Sequence, residues 1–505
     1  MPFDDEKLRL ETRLLGLLQQ ALQERNRDEI VASTLALGDL YLSGDLYEKA
    51  EEYFRKLGEE PVASLARPDE KAKAYLSLAS VMMRRGHLTL AREGLKKARD
   101  TQVGGGNGTH LEARRLHCEL EMHAGHYREV VDAIESTLSS ESPEKLGDLR
   151  VDFMTLEGRA RRLMGRNRQA ARLLEKALDV AQKSGYEAGA GAAHGELGRL
   201  QTVLGKFKAA QDHLEAALKS DEGMASQRRL NADRRRMALL QIRMGRWKDA
   251  ETLADQSFQS SREIGNLEGR IAAQLVRSTL RRLRGSYDDA YDCALDAMEG
   301  ARSAGFLRRQ VQGMLALAQL AFDRGQARES MDLLREAEAL YGRLAPESSV
   351  MLQAHVLTGR VHDLQGETTE AFDRLMRAHS IARETASDVE RHIVDSFLGD
   401  HFRCRGEEEK AAELLTRAAR GLGELGAKFD IARARLSLAK LLADARMART
   451  LEERQREMKL ARSNLFEARR LFELMGANPR LAECIELEQR LAPEKQAPAS
   501  ESGPA

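Results

Sequence analysis

The chain has 505 residues, too many for one ordinary compact core, so it is either several domains or an elongated repeat array. Charged residues make up 32% against 42% hydrophobic and only 5% aromatic, with 9 prolines, which is the composition of amphipathic helix and excludes a strand-rich fold. The 80 basic and 80 acidic residues balance, so no overall basic field recruits nucleic acid or an anionic membrane, and a charged partner has to be read by a local patch.

Taken in chain order, the N-terminus "MPFDDEKLRLETRLLGLLQQAL" begins acidic and continues as an amphipathic helix over residues 5–25, without the basic start and unbroken apolar core of a signal peptide. No later stretch approaches the roughly 18 to 20 apolar residues that span a bilayer, so a cytoplasmic protein without membrane insertion is expected. From residue 29 a repeat sets in. The unit "LALGDLYLSGDLYEKAEEYF" carries Gly38, Ala50 and Phe54, and at the same phase a glycine recurs every 39 to 41 residues: Gly86, Gly125, Gly165, Gly205, Gly245, Gly285, Gly325, Gly366 and Gly406. Five residues beyond stands a small residue in most units (Ala91, Ala170, Ala210, Ala250, Ala290, Ser330, Ala371, Ala411), with Val130 the exception. Seven residues before stands another (Ala79, Cys118, Gly158, Gly198, Ala238, Ser278, Ala318, Gly359, Gly399), making ten units. Each unit reads as about thirteen helical residues, a turn glycine, then about fourteen more. The small residues belong at the helix crossing, and Leu and Met at i, i+3, i+4 spacing fill the seam, as in Leu173, Leu174 and Leu178. One hairpin cannot bury both its faces, so the core is expected to form only by stacking.

These residues resemble the tetratricopeptide repeat (TPR) family. Its pattern is matched by Leu37, Gly38, Tyr41, Ala50 and Phe54, and by Leu197, Gly198, Gly205, Ala210, Leu214 and Ala217. The period is about 40 rather than the usual 34, and "KSGYEAGAG", "EIGNLEGR" and "SAGFLRRQ" are read as loops replacing the common terminal proline, as in a long-period bacterial subgroup. The resemblance implies an all-α fold, a right-handed α-solenoid of ten to eleven hairpins. The expected organisation is a capping helix at 1–28, the array at 29–427, a degenerate hairpin with the insertion "DARMARTLEERQREMK" and a second capping helix at 428–492, and a disordered tail at 493–505.

Signatures of catalysis fail one by one. "LGRLQTVLGKF" has six residues between its glycines and Phe207 where a P-loop needs Ser or Thr, so Gly205 is hairpin punctuation. "GAGAAHG" lacks a preceding strand and the right third glycine, and the glycines of "TQVGGGNGTH" read as a linker. Cys118, Cys293, Cys404 and Cys484 are far apart with no metal spacing, and His194 and His213 read as ordinary helix residues. Neither cofactor nor metal is expected, and the chain reads as non-enzymatic.

In the resembling family the first helix of each hairpin lines a concave groove. Carrying over its inward places gives Arg115, Arg159, Arg162, Arg199, Arg235, Arg243 and Arg282, then Asp323, Asp363 and Asp400 with Arg360 and Arg403 among them. A basic groove whose field weakens toward the C-terminus is expected, and guanidinium groups suit carboxylate or phosphate. The competing reading is that arginines of a charge-rich helix pair with Glu at i+3 or i+4. The chaperone-type clamp, with Asn at the ninth place, is unsupported, because Arg159, Arg199, Leu239 and Thr279 stand there. The partners implied are other proteins offering acidic or phosphorylated segments, within a signalling assembly that can include Ser/Thr protein kinases. RNA is the alternative, disfavoured because the inward places offer Phe322 and little else to stack on.

Overall fold

A computed structural model describes residues 5–60, 62–101, 109–223, 226–444 and 450–491. The glycine-rich part of "TQVGGGNGTH", the start of the charged insertion and the tail from 493 lie outside these residues. Among the described residues there are 26 helices and no strand, and the helices follow one another as an all-α solenoid.

One hairpin of the repeat pattern illustrates how the sequence builds a unit. Glu187–Leu204 and Phe207–Gly223 are two helices separated by Gly205 and Lys206. Gly205 has φ +83°, the left-handed conformation that costs a side chain dearly. Its N–H donates to the Thr202 carbonyl and the Lys206 N–H to the Gln201 carbonyl, the paired bonds that close a helix C-terminus. At the crossing, a Cβ on Gly198 would lie 2.5 Å from Leu214, so the missing side chain is the socket into which Leu214 fits. Ala210 in the facing helix is fully buried. Where Ser replaces the small residue, its hydroxyl is satisfied across the seam: Ser278 Oγ donates to the Ala290 carbonyl and Ser330 Oγ to the Ala318 carbonyl, each at 2.8 Å.

The helices are longer than the sequence pattern predicts. "KSGYEAGAG", "EIGNLEGR" and "SAGFLRRQ" are not loops: helices begin at Glu187, Leu267 and Leu307, two residues after Gly185, Gly265 and Gly305. A second series of glycines with positive φ ends the second helix of these hairpins, and the next helix starts almost at once. The helices Asn167–Ser184, Glu187–Leu204 and Phe207–Gly223 therefore reach 17 to 18 residues.

The chain divides into two compact units. The first comprises Met1–Ile242, Arg246–Arg282 and Ser286–Arg391; the second comprises Arg243–Gly245, Leu283–Gly285 and His392–Ala505. The first unit opens with helix Asp5–Glu24, whose Leu14 and Leu18 cover the core around Val31, Leu37 and Tyr41, and Tyr41 donates to Glu11 at 2.7 Å. Residues about 180 to 220 apart meet in this unit. Tyr127 and Tyr341 share a hydroxyl hydrogen bond of 2.8 Å, Asn167 Nδ2 donates to the Thr385 carbonyl at 2.9 Å, Ser387 Oγ donates to the Val203 carbonyl at 2.6 Å, and the Arg228 N–H donates to Asp45 at 2.9 Å. The stack thus coils far enough for one turn to rest on the next, and a core cluster runs from Leu111 to Val361 across that junction. Gly165 stands there: with φ +84°, it lies so close to the Glu347 carbonyl that no Cβ fits.

The second unit ends in helices Lys428–Asp444, Leu451–Met475 and Asn478–Arg490. Phe429 meets Phe472 edge to face at 5.8 Å, and Thr450 with Glu453 forms a reciprocal capping box at the start of the 25-residue helix. Of the cysteines, Cys118, Cys293 and Cys484 are buried and Cys404 is exposed. No helix among the described residues is long and apolar enough to cross a membrane.

Candidate anion-binding site

The arginines that the resemblance places inward come, in the first unit, from the first helix of successive hairpins. Arg115 is on Thr109–Ala124, Arg159 and Arg162 on Leu149–Leu163, Arg199 on Glu187–Leu204, Arg235 on Gln227–Arg243 and Arg282 on Leu267–Arg284. Arg243 groups instead with the second unit, where its guanidinium reaches Asp430 at 3.3 Å.

Most of these arginines already hold an acid. Arg115 is clamped between Glu112, three residues before it, and Glu119, four after. Burial opposes its charge, yet the two carboxylates raise its pKa above the ordinary value, and they serve here as the i±3/i±4 partners that a charge-rich helix supplies. Arg162 reaches Glu196 at 2.9 Å, and Arg236 binds both Glu196 and Asp233. Glu196 is buried; burial would raise its pKa, but Arg236, Arg162 and Arg159 overcome that and hold it far below the usual carboxylate range. Arg282 reaches Asp323 at 2.7 Å, and Arg360 stacks 4.3 Å from the Phe322 ring, so an inward acid and the inward aromatic are engaged within the wall. Asp400 accepts from Ser437 at 3.0 Å in the second unit.

Four side chains with no reading in the sequence complete the arrangement. Glu268, at the start of Leu267–Arg284, accepts from Arg309 Nη2 at 2.8 Å, and the charges of Arg309, Arg159 and Arg235 hold its pKa well below the ordinary value against the cost of burial. Arg308, beside Arg309, donates to Gln312 at 3.1 Å. His123 packs 4.8 Å from the Phe306 ring, and burial together with the charge of Arg159 lowers its pKa in spite of Glu268. The assignment of "SAGFLRRQ" to a loop concealed Arg308 and Arg309; the signal that finds them is the glycine at 305 in phase with those at 185 and 265.

Three of the seven hold no acid among the described residues: Arg235, which donates instead to Ser257 Oγ, and the pair Arg159 and Arg199. Among the described residues neither lies within 4.0 Å of a carboxylate. Both are half-buried rather than sealed. Burial and the like charges of Arg162, Arg308 and Arg309 push the Arg199 pKa well down, with Glu196 the lesser, opposing influence. Arg235, buried and bonded to Ser257 Oγ at 3.0 Å, is lowered to about 10, burial again leading. Around Glu196 and Glu268, then, Arg162, Arg236 and Arg309 are paired with acids, whereas Arg159 and Arg199 are not.

One other cluster has metal-ligand geometry. Glu121, His126 and Glu129 bring one ligand atom each within 4.8 Å of one another. Glu121 already takes His126 Nδ1 at 2.7 Å and Arg92 at 2.9 Å, and an arginine at this carboxylate opposes a cation. His194 and His213 face each other with Nδ1 to Nδ1 at 2.9 Å, one ring donating; burial lowers the pKa of both.

No protein-family model matches the sequence, and no curated protein does. Solved structures similar to the chain include aspartyl phosphate phosphatase F from Bacillus subtilis, at 12% identity over 80% of this chain and 94% of that one, with a TM-score of 0.41. The human IFIT1 dimer with m7Gppp-AAAA is similar at 16% identity over 88% of this chain and 94% of that one, with a TM-score of 0.41. The APC/C hetero-tetramer Cut9–Hcn1 is similar at 12% identity over 96% of both chains, with a TM-score of 0.39.

Proposed function

We propose that the chain is a non-enzymatic scaffold or adaptor of TPR type that binds a partner protein along the inner face of its first unit, taking up an extended acidic or phosphorylated segment. The observation that carries this reading is the pair Arg159 and Arg199 there, which lack a carboxylate. A half-buried cation without a counter-charge is costly, and an anionic ligand relieves that cost. The TPR resemblance adds a cytoplasmic signalling assembly, with Ser/Thr protein kinases among the partners, as the setting.

The same charge suits the backbone of RNA, which is the second reading; the scarcity of free aromatic side chains on the inner face weighs against it. Fluorescence anisotropy separates the two. Labelled Glu/Asp-rich and phosphoserine-containing peptide libraries are titrated against labelled single-stranded RNA, using the wild type and an Arg159→Glu/Arg199→Glu variant with matching circular dichroism. Peptide binding that weakens with salt and is lost in the variant supports the scaffold reading. RNA binding lost in the variant, with no peptide binding, replaces it with the alternative, and peptide binding unchanged in the variant removes the inner face from the function.

A further inference from the structure

We infer that exposed basic side chains at the turns of hairpins three to six form a track for an unstructured Asp- and Glu-rich segment of a partner protein, a second binding surface apart from the inner arginines. At the first and third places after the turn glycines stand Arg166 and Arg168, Lys206 and Lys208, and Arg246 and Lys248, all exposed and all in the first unit. The residue between each pair is buried: Asn167, Phe207 and Trp247 are 3%, 6% and 1% exposed, so the flanking side chains turn to solvent on the same edge. One hairpin earlier Arg128, exposed beside the buried Tyr127, continues the line. Ion pairs join each of these hairpins to the next, Arg161 to Glu135, Arg162 to Glu196 and Arg236 to Glu196. Contacts with the neighbouring turn of the coil hold the edges in one row: Tyr127 meets Tyr341 at 2.8 Å, Asn167 donates to the Thr385 carbonyl at 2.9 Å, and the Val203 carbonyl accepts from Ser387 at 2.6 Å.

Among the described residues none of these seven cations forms an ion pair, not even with Glu347, Glu384 or Asp388 on the neighbouring turn. The acids in the four first turns are Glu129 and Asp249. This placement works against the helices, because the cations flank the starts of the second helices, where the macrodipole favours acids. Other hairpins keep to that preference at the same two places, with Ser286 and Asp288, Glu367 and Thr369, and Glu407 and Glu409. Four successive hairpins that depart from it, in a chain whose 80 basic and 80 acidic residues balance, serve a ligand and not the fold. The chemistry of the track selects the occupant. With Tyr127, Phe207 and Trp247 turned inward, it offers no apolar centre for a folded protein surface and no platform on which bases stack. Residues 128 to 248 are more than half of the about 200 that separate contacting turns, so the line bends with the coil, and a straight duplex or a flat bilayer meets only part of it. An unstructured acidic run needs neither shape nor stacking and follows the bend, with charge along its whole length.

The test uses the full chain and isothermal titration with a Glu-rich peptide of about 20 residues, long enough to stay unfolded and to reach along several hairpins. Binding is expected to weaken as salt rises, and a version of about six residues, which meets fewer hairpins, is expected to bind about tenfold more weakly. Arg166→Glu/Lys206→Glu is expected to weaken binding of the long peptide about tenfold or more. Its melting temperature should equal or exceed that of the wild type, because cations are removed from helix starts; a lower one would assign these side chains to the fold and overturn the track. Arg159→Glu/Arg199→Glu separates the two surfaces. Loss of binding in the track variant alone supports the track and removes the inner face, and loss of one of two sites in each variant supports both. Loss only in Arg159→Glu/Arg199→Glu overturns the track and leaves the inner-face reading standing, and undiminished binding in both variants overturns both. A wild type that binds no acidic peptide overturns the track. Poly(U), duplex DNA or phosphatidylserine vesicles bound more tightly than the peptide, with the same loss in the track variant, overturn the acidic protein segment as its occupant.

Discussion

Ala210 has no exposed surface and faces the Gly198 socket filled by Leu214, so an indole there has nowhere to go. Ala210→Trp is expected to cost about 1–3 kcal/mol by overpacking, read as a lower urea midpoint, whereas Arg199→Gln leaves the midpoint unchanged or raised. The small-residue phase that marks Ala210 is visible in the sequence because every unit needs it at the same crossing. The acids that neutralise Arg162 and Arg309 are not: Glu196 lies 34 residues from Arg162 and Glu268 41 from Arg309, so the pairings exist only once neighbouring hairpins stack. A buried acid pair gives a further test. Asp221, 1% exposed, accepts from Arg229 at 2.8 Å, but burial and the adjacent Asp233 outweigh that contact and push its pKa up to about 7. A raised folded-state pKa means that the folded chain holds this proton more tightly than the unfolded chain does. The stability it contributes is complete below about pH 4 and is lost as the pH rises through about 7. Asp221→Asn should therefore flatten the fall in melting temperature over that range, and an unchanged slope would assign the pH dependence to other groups.

At the scale of the element, helix ends separate what pattern reveals from what it hides. The turn within each hairpin is marked by a glycine whose period can be counted directly. The turn between hairpins is equally short, yet its glycines at 185, 265 and 305 sit among other glycines and small residues, and the segments around them look like loops. Helix propensity alone does not place the restart at Leu307; the next hairpin packing against the last does. Where no neighbour dictates the start, capping does. The helix Leu451–Met475 follows Thr450, whose hydroxyl accepts from the Glu453 N–H at 3.1 Å while Glu453 accepts from the Thr450 N–H at 3.0 Å. Thr450→Ala is expected to cost about 1 kcal/mol. Hydrogen exchange should quicken only in the first turn of that helix, and uniform loosening of all 25 residues would show that the cap governs more than its own end.

For the first unit as a whole, coiling changes the energetics of a repeat array. A stack that touches only nearest neighbours can unfold piecewise. Here Asn167 donates to Thr385, Tyr127 bonds Tyr341 and Ser387 donates to Val203, so hairpins about 200 residues apart are coupled. Asn167→Ala would leave the Thr385 carbonyl without this donor, at a cost of about 1–3 kcal/mol. Hydrogen exchange is expected to quicken at residues 150–170 and 380–388 together; quickening at 150–170 alone would show that the turns do not stabilise one another.

The all-α fold, the turn glycines and the helix-crossing residues were determined by the sequence itself, because each follows from a local requirement repeated about every 40 residues: a left-handed turn, a close approach, an apolar stripe. The coil was decided only in three dimensions. The small rotation between neighbouring hairpins is set by packing, and its accumulation brings Gly165 against Glu347 and Arg199 into the field of Arg308 and Arg309, at separations where no periodicity carries information. Which of these arginines are paired with an acid and which are not is a property of that accumulated geometry, since charge pairing inside the unit depends on distance in space and not on distance along the chain.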